Sequence, residues 1–354
     1  MVKTGLISRR ILILLSLIGG LVWLVFFSFP DNRLHLVFCD VGQGDATLIT
    51  KGFTQILIDG GPNDKVLTCL KNNLPFFDRT IEVVALTHPE ADHLTGLISV
   101  LDKYKVEYFL TGPEGNDSAI YQELLARLTK SEILNPKSKI KDTNFQNPKF
   151  KTFKKLKFLL FGFVSNFVLR ASDLTQVVNP YAGEKIKIGE ITLDSLWPSR
   201  EWMAENIEAQ SVLADFSLRQ NERGLKSSKT ESVLGAKTRD SKLNDYCLVF
   251  LLTYRGKKVL LMGDADSRVQ DKIILANSWL FTSLKGIDIL KFPHHGSKTG
   301  MDKNFLEQIK PKIAVISVGK NSFGHPAEET LEMLKNAGVK VRRTDLEGEI
   351  KYNF

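Results

Sequence analysis

His88, Glu90, Asp92 and His93 fall within six consecutive residues, in a T-H-P-E-A-D-H stretch that directly follows the apolar run Ile81 to Thr87. Imidazole and carboxylate at this spacing, presented at the end of a buried strand, can converge on one or two divalent cations. The chain has six histidines. His35 lies inside the first expected strand and reads as structural. His294, His295 and His325 follow apolar runs, at the strand ends and loops where an α/β scaffold presents reactive groups. Two carboxylates have similar settings: Asp59 in I-L-I-D-G-G and Asp264 in L-L-M-G-D-A-D. Asp40, Gln43 and Asp45 flank glycines in D-V-G-Q-G-D-A, where a tight turn and a place at the mouth of a site are both open readings. Ser297 and Lys298 follow the paired histidines, and Lys298 could meet a phosphate as a point charge.

The elements that must position these groups alternate in a readable way. Leu34–Phe38, Ala46–Thr50 and Gln55–Asp59 read as strands, with Gly52-Phe53 as a turn. Val66–Asn72 has helical spacing. Ile81–Thr87 is continuous and β-branched, as a strand covered on both faces would be. A helix (Leu94–Tyr104) and a strand (Val106–Thr111) follow. The pattern resumes with a hairpin over Glu184–Trp197 turning at Gly189-Glu190, and a second over Tyr246–Met262 turning at Arg255-Gly256. After that come helix 269–275, strand 287–292, helix 304–309, strand 313–318, helix 327–337 and strand 339–343. Strands in a run, then helix and strand alternating, twice over, predict two sheets packed face to face with helices outside.

Two stretches break this order. A basic and apolar insertion is expected over about 131–180: eight lysines and one acid (Asp142) lie between Lys137 and Lys157, followed by the apolar Leu156–Leu169. It reads either as a core element or as a basic-aromatic surface for lipid or nucleic acid. Residues 199–244 are polar and predict a mobile excursion. At the N-terminus, Lys3, Arg9 and Arg10 precede nineteen uncharged residues, Ile11–Phe29. A helix of that length reaches about 28 Å, close to the thickness of a bilayer's hydrocarbon core. The basic leader places the N-terminus inside and the remainder outside. No Ala-x-Ala-like cleavage site precedes Asp31, so residues 1–30 read as a leader and single-pass anchor in the cytoplasmic membrane rather than a cleaved signal. Residues 31–354 then form one catalytic domain. The net charge of +8 favours a polyanionic substrate or an anionic surface. Cys39, Cys69 and Cys247, odd in number and widely spaced, are expected as unpaired, semi-buried thiols.

The motif order resembles the metallo-β-lactamase superfamily, with its His-x-His-x-Asp-His loop after a buried strand. Asp59, His88–His93, Asp264 and the His294-His295 pair match that pattern. Within the superfamily, D-V-G-Q-G-D-A, F-P-H-H-G-S-K, A-V-I-S-V-G-K-N, G-H-P-A-E and R-T-D-L-E-G-E-I are similar to the soluble nuclease-type domain of the ComEC DNA-uptake proteins. The resemblance implies an α/β, four-layer αββα sandwich following the N-terminal transmembrane helix. It also implies two divalent cations, zinc or manganese, with magnesium a third candidate. Two departures stand out. Glu90 replaces the loop's second His, and no His occurs between His93 and His294, where the family has its middle ligand. One metal position would then rest on His88, Glu90 and Asp264, with Asn244 or Asp245 standing in for the lost imidazole. The other would use Asp92, His93, Asp264 and one of His294 or His295. Oxygen in place of nitrogen makes a site harder.

The implied activity is metal-assisted hydrolysis of a phosphodiester. Asp92 and Asp264 are the expected catalytic carboxylates, His325 a donor to a phosphate or leaving oxygen, and Asp59 a support for a ligand histidine. DNA, single-stranded above all, is the expected substrate. The polytopic channel region of ComEC is not in the chain, which points to a separate channel protein as partner. Two other functions fit the same residues. One is an esterase acting on cell-wall phosphorylcholine or small phosphate esters. The other is a membrane-bound DNA receptor with an inert metal site.

Overall fold

The computed structural model describes residues 11–20, 23, 29–133, 175–206, 242–277 and 284–354. The lysine-rich stretch from Lys137, the apolar run Leu156–Leu169 and most of the expected polar excursion lie outside the described residues. Residues 11–20 are helical. Among the described residues no helix is long and apolar enough to cross a membrane.

Among the described residues, fourteen strands make two seven-stranded sheets. The first contains β1 (Leu34–Phe38), β2 (Thr47–Lys51), β3 (Thr54–Ile58), β4 (Thr80–Leu86), β5 (Lys105–Thr111), β6 (Gln176–Val178) and β14 (Ile350–Asn353), in the order β14-β1-β2-β3-β4-β5-β6. The second contains β7 (Lys185–Ile188), β8 (Ile191–Trp197), β9 (Val249–Tyr254), β10 (Lys257–Leu261), β11 (Ile289–Lys291), β12 (Ile313–Ile316) and β13 (Lys340–Arg343), ordered β13-β12-β11-β10-β9-β8-β7. Each sheet has an antiparallel part and a parallel part. In the first, β3 through β6 run parallel. In the second, β10 through β13 do. Parallel neighbours need a helical crossover that covers the sheet, and the central parallel strands are therefore buried on both faces. β4 shows this: after Thr80 its residues are all buried.

Three apolar layers account for the stacking. Between the sheets, alternate residues such as Leu36, Ile56, Val83, Leu193, Phe250 and Val259 interlock. The outer face of the first sheet buries helices α1 (Lys65–Asn73), α2 (Ala91–Lys103) and α3 (Ala119–Ile133) through Val66, Leu94, Leu97 and Leu124. On the second sheet, α5 (Ser267–Ala276), α6 (Lys303–Ile309) and α7 (Glu328–Asn336) insert Val269, Ile273, Phe305 and Leu334, while α4 (Arg200–Asn206) packs nearby through Trp202. The result is helix, sheet, sheet, helix, the sandwich expected from the order of elements.

Three features differ from the sequence-based expectation. Cys39 and Cys69 are joined in a disulfide, with Cα atoms 5.8 Å apart, and only Cys247 remains a free, buried thiol. Thirty residues separate the pair, and nothing in that spacing reveals that the end of β1 meets the inner face of α1. The chain also does not finish at β13. A short helix, α8 (Thr344–Glu347), leads to β14, which pairs antiparallel with β1 and closes the edge of the first sheet. Finally, Arg200–Asn206, at the start of the expected polar excursion, is helical; β6, at the end of the expected insertion, extends the first sheet as a core element.

Candidate metal centre

The sheets present their functional side chains at one shared end. β4 finishes at Leu86, and Thr87 and His88 continue past its last pairing. The chain then turns so that Glu90 caps α2, with Asp92 and His93 in its first turn. Gly96 lets α2 press against the Asp59-Gly60 turn, since a Cβ there would collide with the Gly60 carbonyl. That contact is closed by the Gly60 amide, which donates to the His93 carbonyl at 2.7 Å. From the second sheet, β10 delivers Asp264 through Gly263, where a Cβ would overlap the Cys247 sulfur. β11 delivers Lys291 and then His295. Asp59, His294 and His295 all take left-handed backbone angles (φ 61°, 51° and 52°), a conformation that costs roughly 1–3 kcal/mol at a non-glycine residue and clusters at functional sites.

Asp45, His93, Asp264 and His295 converge, all buried, with one ligand atom from each lying within 4.8 Å of the others. The His93 Nε2 faces Asp264 Oδ1 at 3.4 Å, and the His295 Nε2 lies 3.6 Å from Asp264 Oδ2 and 3.3 Å from Asp92 Oδ2. Both rings are fixed from behind. Asp59 Oδ2 lies 2.9 Å from the His93 Nδ1, and its carboxylate also accepts from the Thr87 amide and hydroxyl, each at 2.8 Å. The His295 Nδ1 donates to the Ser317 carbonyl at 2.9 Å. Those bonds turn each Nε2 lone pair inward. The Nε2 atoms of His88, His93 and His295 and Asp264 Oδ1 are buried without a hydrogen-bond partner. Buried polar atoms are nearly always satisfied, and the orphans on His93, Asp264 and His295, which converge with Asp45, fit a divalent cation held by imidazole and carboxylate.

Electrostatics agree. Burial works against a charged His93, yet the Asp264 and Asp59 carboxylates outweigh it and hold the imidazole pKa well above its usual range. Burial likewise opposes ionisation of Asp264, but His295, His93 and Lys291 keep its carboxyl well below the ordinary value. The protein has concentrated negative charge that only cations or protons can balance.

The expected residues separate into groups. His88, Glu90 and Asp264 bound one side: His88 Nε2 lies 3.7 Å from Glu90 Oε2. Asp92, His93, Asp264 and His295 form the other. Of the paired histidines, His295 joins the cluster, whereas the His294 ring stacks edge-on with His325 at 5.7 Å. Asp45 belongs to the cluster and carries an ion pair with Lys291. Asp40 is exposed and accepts from the Gly42 amide, and Gln43 accepts from the Gly319 amide. Ser297 pairs with Thr299, and Lys298 is exposed. Asp245, expected with Asn244 to replace the absent imidazole, turns instead to Arg268 at 3.0 Å. The atom from that segment that approaches His88 is the Cys247 sulfur, 3.8 Å from Nδ1.

Two residues at the centre went unanticipated. Lys291 is buried, bonded to Asp45 and 3.9 Å from Asp264. Its only sequence signal is a lone lysine in the apolar I-L-K-F run. Glu114, in the loop after β5, is 1% exposed with both carboxylate oxygens unpartnered, and burial pushes its pKa up to about 8. The Asn116 side chain in that loop donates to the Pro89 carbonyl, next to His88.

Comparison with known proteins bears on about a third of the chain. Over 112 residues it is 34% identical to ComE operon protein 3 of Bacillus subtilis, covering 31% of this chain and 14% of that protein. Recombination protein 2 of Haemophilus influenzae matches at 33% over 113 residues, with 31% and 13% covered. Competence protein ComA of Neisseria gonorrhoeae matches at 31% over 100 residues, with 28% and 14% covered. These relatives are ComEC-type competence proteins. The aligned part spans about a seventh of their length. No family profile matches the chain. Solved structures similar over most of the chain include the metallo-β-lactamase fold protein YhfI of Bacillus subtilis, at 10% identity and a TM-score of 0.44, covering 91% of this chain and 100% of that one. Another is Zn(2+)-bound PqqB of Methylobacterium extorquens, at 10% identity and a TM-score of 0.45, covering 90% and 100%.

Proposed function

We propose that this chain is a metal-dependent phosphodiesterase that cleaves DNA, single strands in preference, at the outer face of the cytoplasmic membrane. The observation that carries the reading is the set of orphaned, inward-facing atoms on His88, His93, Asp264 and His295. His88, Glu90 and Asp264 would hold one cation, and Asp92, His93, Asp264 and His295 a second. When bound, such cations supply positive charge to the phosphoryl oxygens and make an attacking water more acidic.

The remaining work falls to the chain. Asp92 has a side chain 32% exposed, the open side of an otherwise buried cluster, and would accept a proton from the incoming water and orient it. His325 stands at the rim beside His294, where a ring N–H can donate to a leaving oxygen. Asp59 and the Ser317 carbonyl hold the two buried imidazoles in position. The net charge of +8 suits a polyanion.

An extracytoplasmic location is supported by the Cys39–Cys69 disulfide, since such bonds persist outside the reducing cytosol, and by the basic leader ahead of the apolar run. The ComEC-type relatives support a part in DNA uptake beside a separate channel protein.

The test is incubation of the purified full chain with labelled single- and double-stranded DNA in EDTA, then with manganese, magnesium or zinc restored, beside Asp264→Ala. Metal-restored cleavage that Asp264→Ala lacks supports the proposal. Cleavage of a small chromogenic phosphodiester but not of DNA would point to the esterase. Salt-sensitive DNA binding with no cleavage under any metal would point to the receptor.

A further inference from the structure

Four phenylalanines form an exposed cluster at the end of the first sheet away from the metal centre. Phe29, Phe53, Phe76 and Phe77 are 55%, 37%, 53% and 41% exposed, yet they contact one another. Ring centroids are 5.7 Å apart for Phe29–Phe53, 5.8 Å for Phe29–Phe77, 6.3 Å for Phe53–Phe77 and 5.3 Å for Phe76–Phe77. They come from three different connections. Phe29 precedes β1, Phe53 is in the β2–β3 turn, and Phe76-Phe77 lie between α1 and β4. Three separate segments therefore place bare aromatic rings at one spot. A contiguous apolar patch on a soluble face is unfavourable unless something covers it.

The strand directions fix where this patch lies. Asp40–Asp45, Asp59 and His88 follow or precede the opposite ends of the same strands: β1 ends toward Asp40, β3 toward Asp59 and β4 toward His88. Strands of five to seven residues at about 3.3 Å each put roughly 15–25 Å between the rings and the metal centre. The occupant is indicated by the chain itself. Phe29 is the last residue of the uncharged run Ile11–Phe29, and it packs into the cluster.

We propose that the phenylalanine cluster docks on the lipid surface of the membrane that the N-terminal segment enters, holding the metal centre on the far side of the domain from the bilayer. Aromatic and apolar side chains settle about 5–10 Å into the headgroup and acyl boundary. Four of them, added to the tether, fix the domain's orientation as well as its location. The cleft then faces away from the lipid, toward a substrate arriving from outside. The docking rests on the tether proposed above.

The experiment uses the full chain reconstituted in phosphatidylethanolamine/phosphatidylglycerol vesicles, with and without brominated phosphatidylcholine. Phe77→Trp and Phe53→Trp each add a probe at the patch. Leu346→Trp adds one on α8, at the end that carries the centre, where Leu346 is 71% exposed. Alkaline carbonate washing reports the tether independently. The expected result is a chain that resists washing, with the emission added at 77 and 53 quenched about twofold or more by brominated lipid and that at 346 unchanged. A chain that resists washing but shows no quenching at 77 and 53, or equal quenching at 346, overturns the docking and leaves the tether standing. A chain that washes free overturns both.

Discussion

Lys291, from the second sheet, donates to Asp45, from the first, so that one ion pair bridges the two halves of the sandwich directly beneath the candidate metal centre. Both side chains are 3% exposed. The Lys291 ammonium also lies 3.9 Å from Asp264, and Asp45, Asp59, Thr87 and Lys291 line a small cavity between the sheets. A permanent positive charge there offsets carboxylates that would otherwise face each other without compensation.

Removing that charge should be costly. Lys291→Met leaves Asp45 and Asp264 buried and unbalanced, and breaking a buried pair from one side typically costs about 3–5 kcal/mol. Asp45→Asn in the same background should recover part of the loss, because it deletes one orphaned charge. Urea unfolding of the metal-free single and double variants measures both. Additive losses would show that the pair is not coupled.

The two adjacent histidines should differ. His295→Ala removes a member of the buried cluster and should abolish stoichiometric uptake of manganese or zinc. His294→Ala removes a ring outside it and should leave uptake intact. Asp59→Ala, which frees the His93 ring, should weaken affinity about 10–100-fold without eliminating it. Metal content by mass spectrometry and calorimetric titration separate the three.

Glu114 should make the metal-free protein lose stability with rising pH. Burial raises its folded pKa to about 8, above the ordinary carboxyl value of 4.5, so the folded state binds this proton more tightly than the unfolded one. Stability from this group is therefore complete below about pH 4.5 and declines until about pH 8, a change of at most about 5 kcal/mol. Glu114→Gln carries no such proton. Its stability relative to the parent should improve between pH 5 and pH 9 in EDTA, and an unchanged difference would contradict the buried-acid assignment.

Cys39 immediately precedes the Asp40–Asp45 loop, and its bond to Cys69 fastens that loop to α1. Replacing both cysteines by alanine should lower stability by about 2–4 kcal/mol, as expected for a closed loop of this size. Denaturant midpoints with and without reductant provide the check, with the alanine variant insensitive to reductant.

Much of the site could be read in the chain because its members sit where strands end. Asp59, His88, Asp264 and His295 each follow an apolar run closely, His93 lies five residues past His88 in the same motif, and short motifs retain their local shape. Lys291 could not be read the same way. A lysine inside a strand normally signals a solvated face, and only the opposing sheet shows that this one meets Asp45. The disulfide was hidden for a related reason, since the choice of partner among three cysteines depends on how a helix lies across a sheet. Asp245 illustrates the converse: its type and position suited a ligand, but Arg268 on the neighbouring helix claims its carboxylate. β14 was overlooked because four residues of mixed polarity carry almost no periodic signal without the strand they pair with.

That last strand sets the order in which the domain can be built. His35 through Phe38 find their hydrogen-bonding partners on one side only in Ile350–Asn353, more than three hundred positions later. During synthesis the opening strand must therefore wait, with one edge bare, until those distant residues supply its neighbour. A polypeptide that locks late remains threadable for longer, which suits the passage across a bilayer that the proposed location requires.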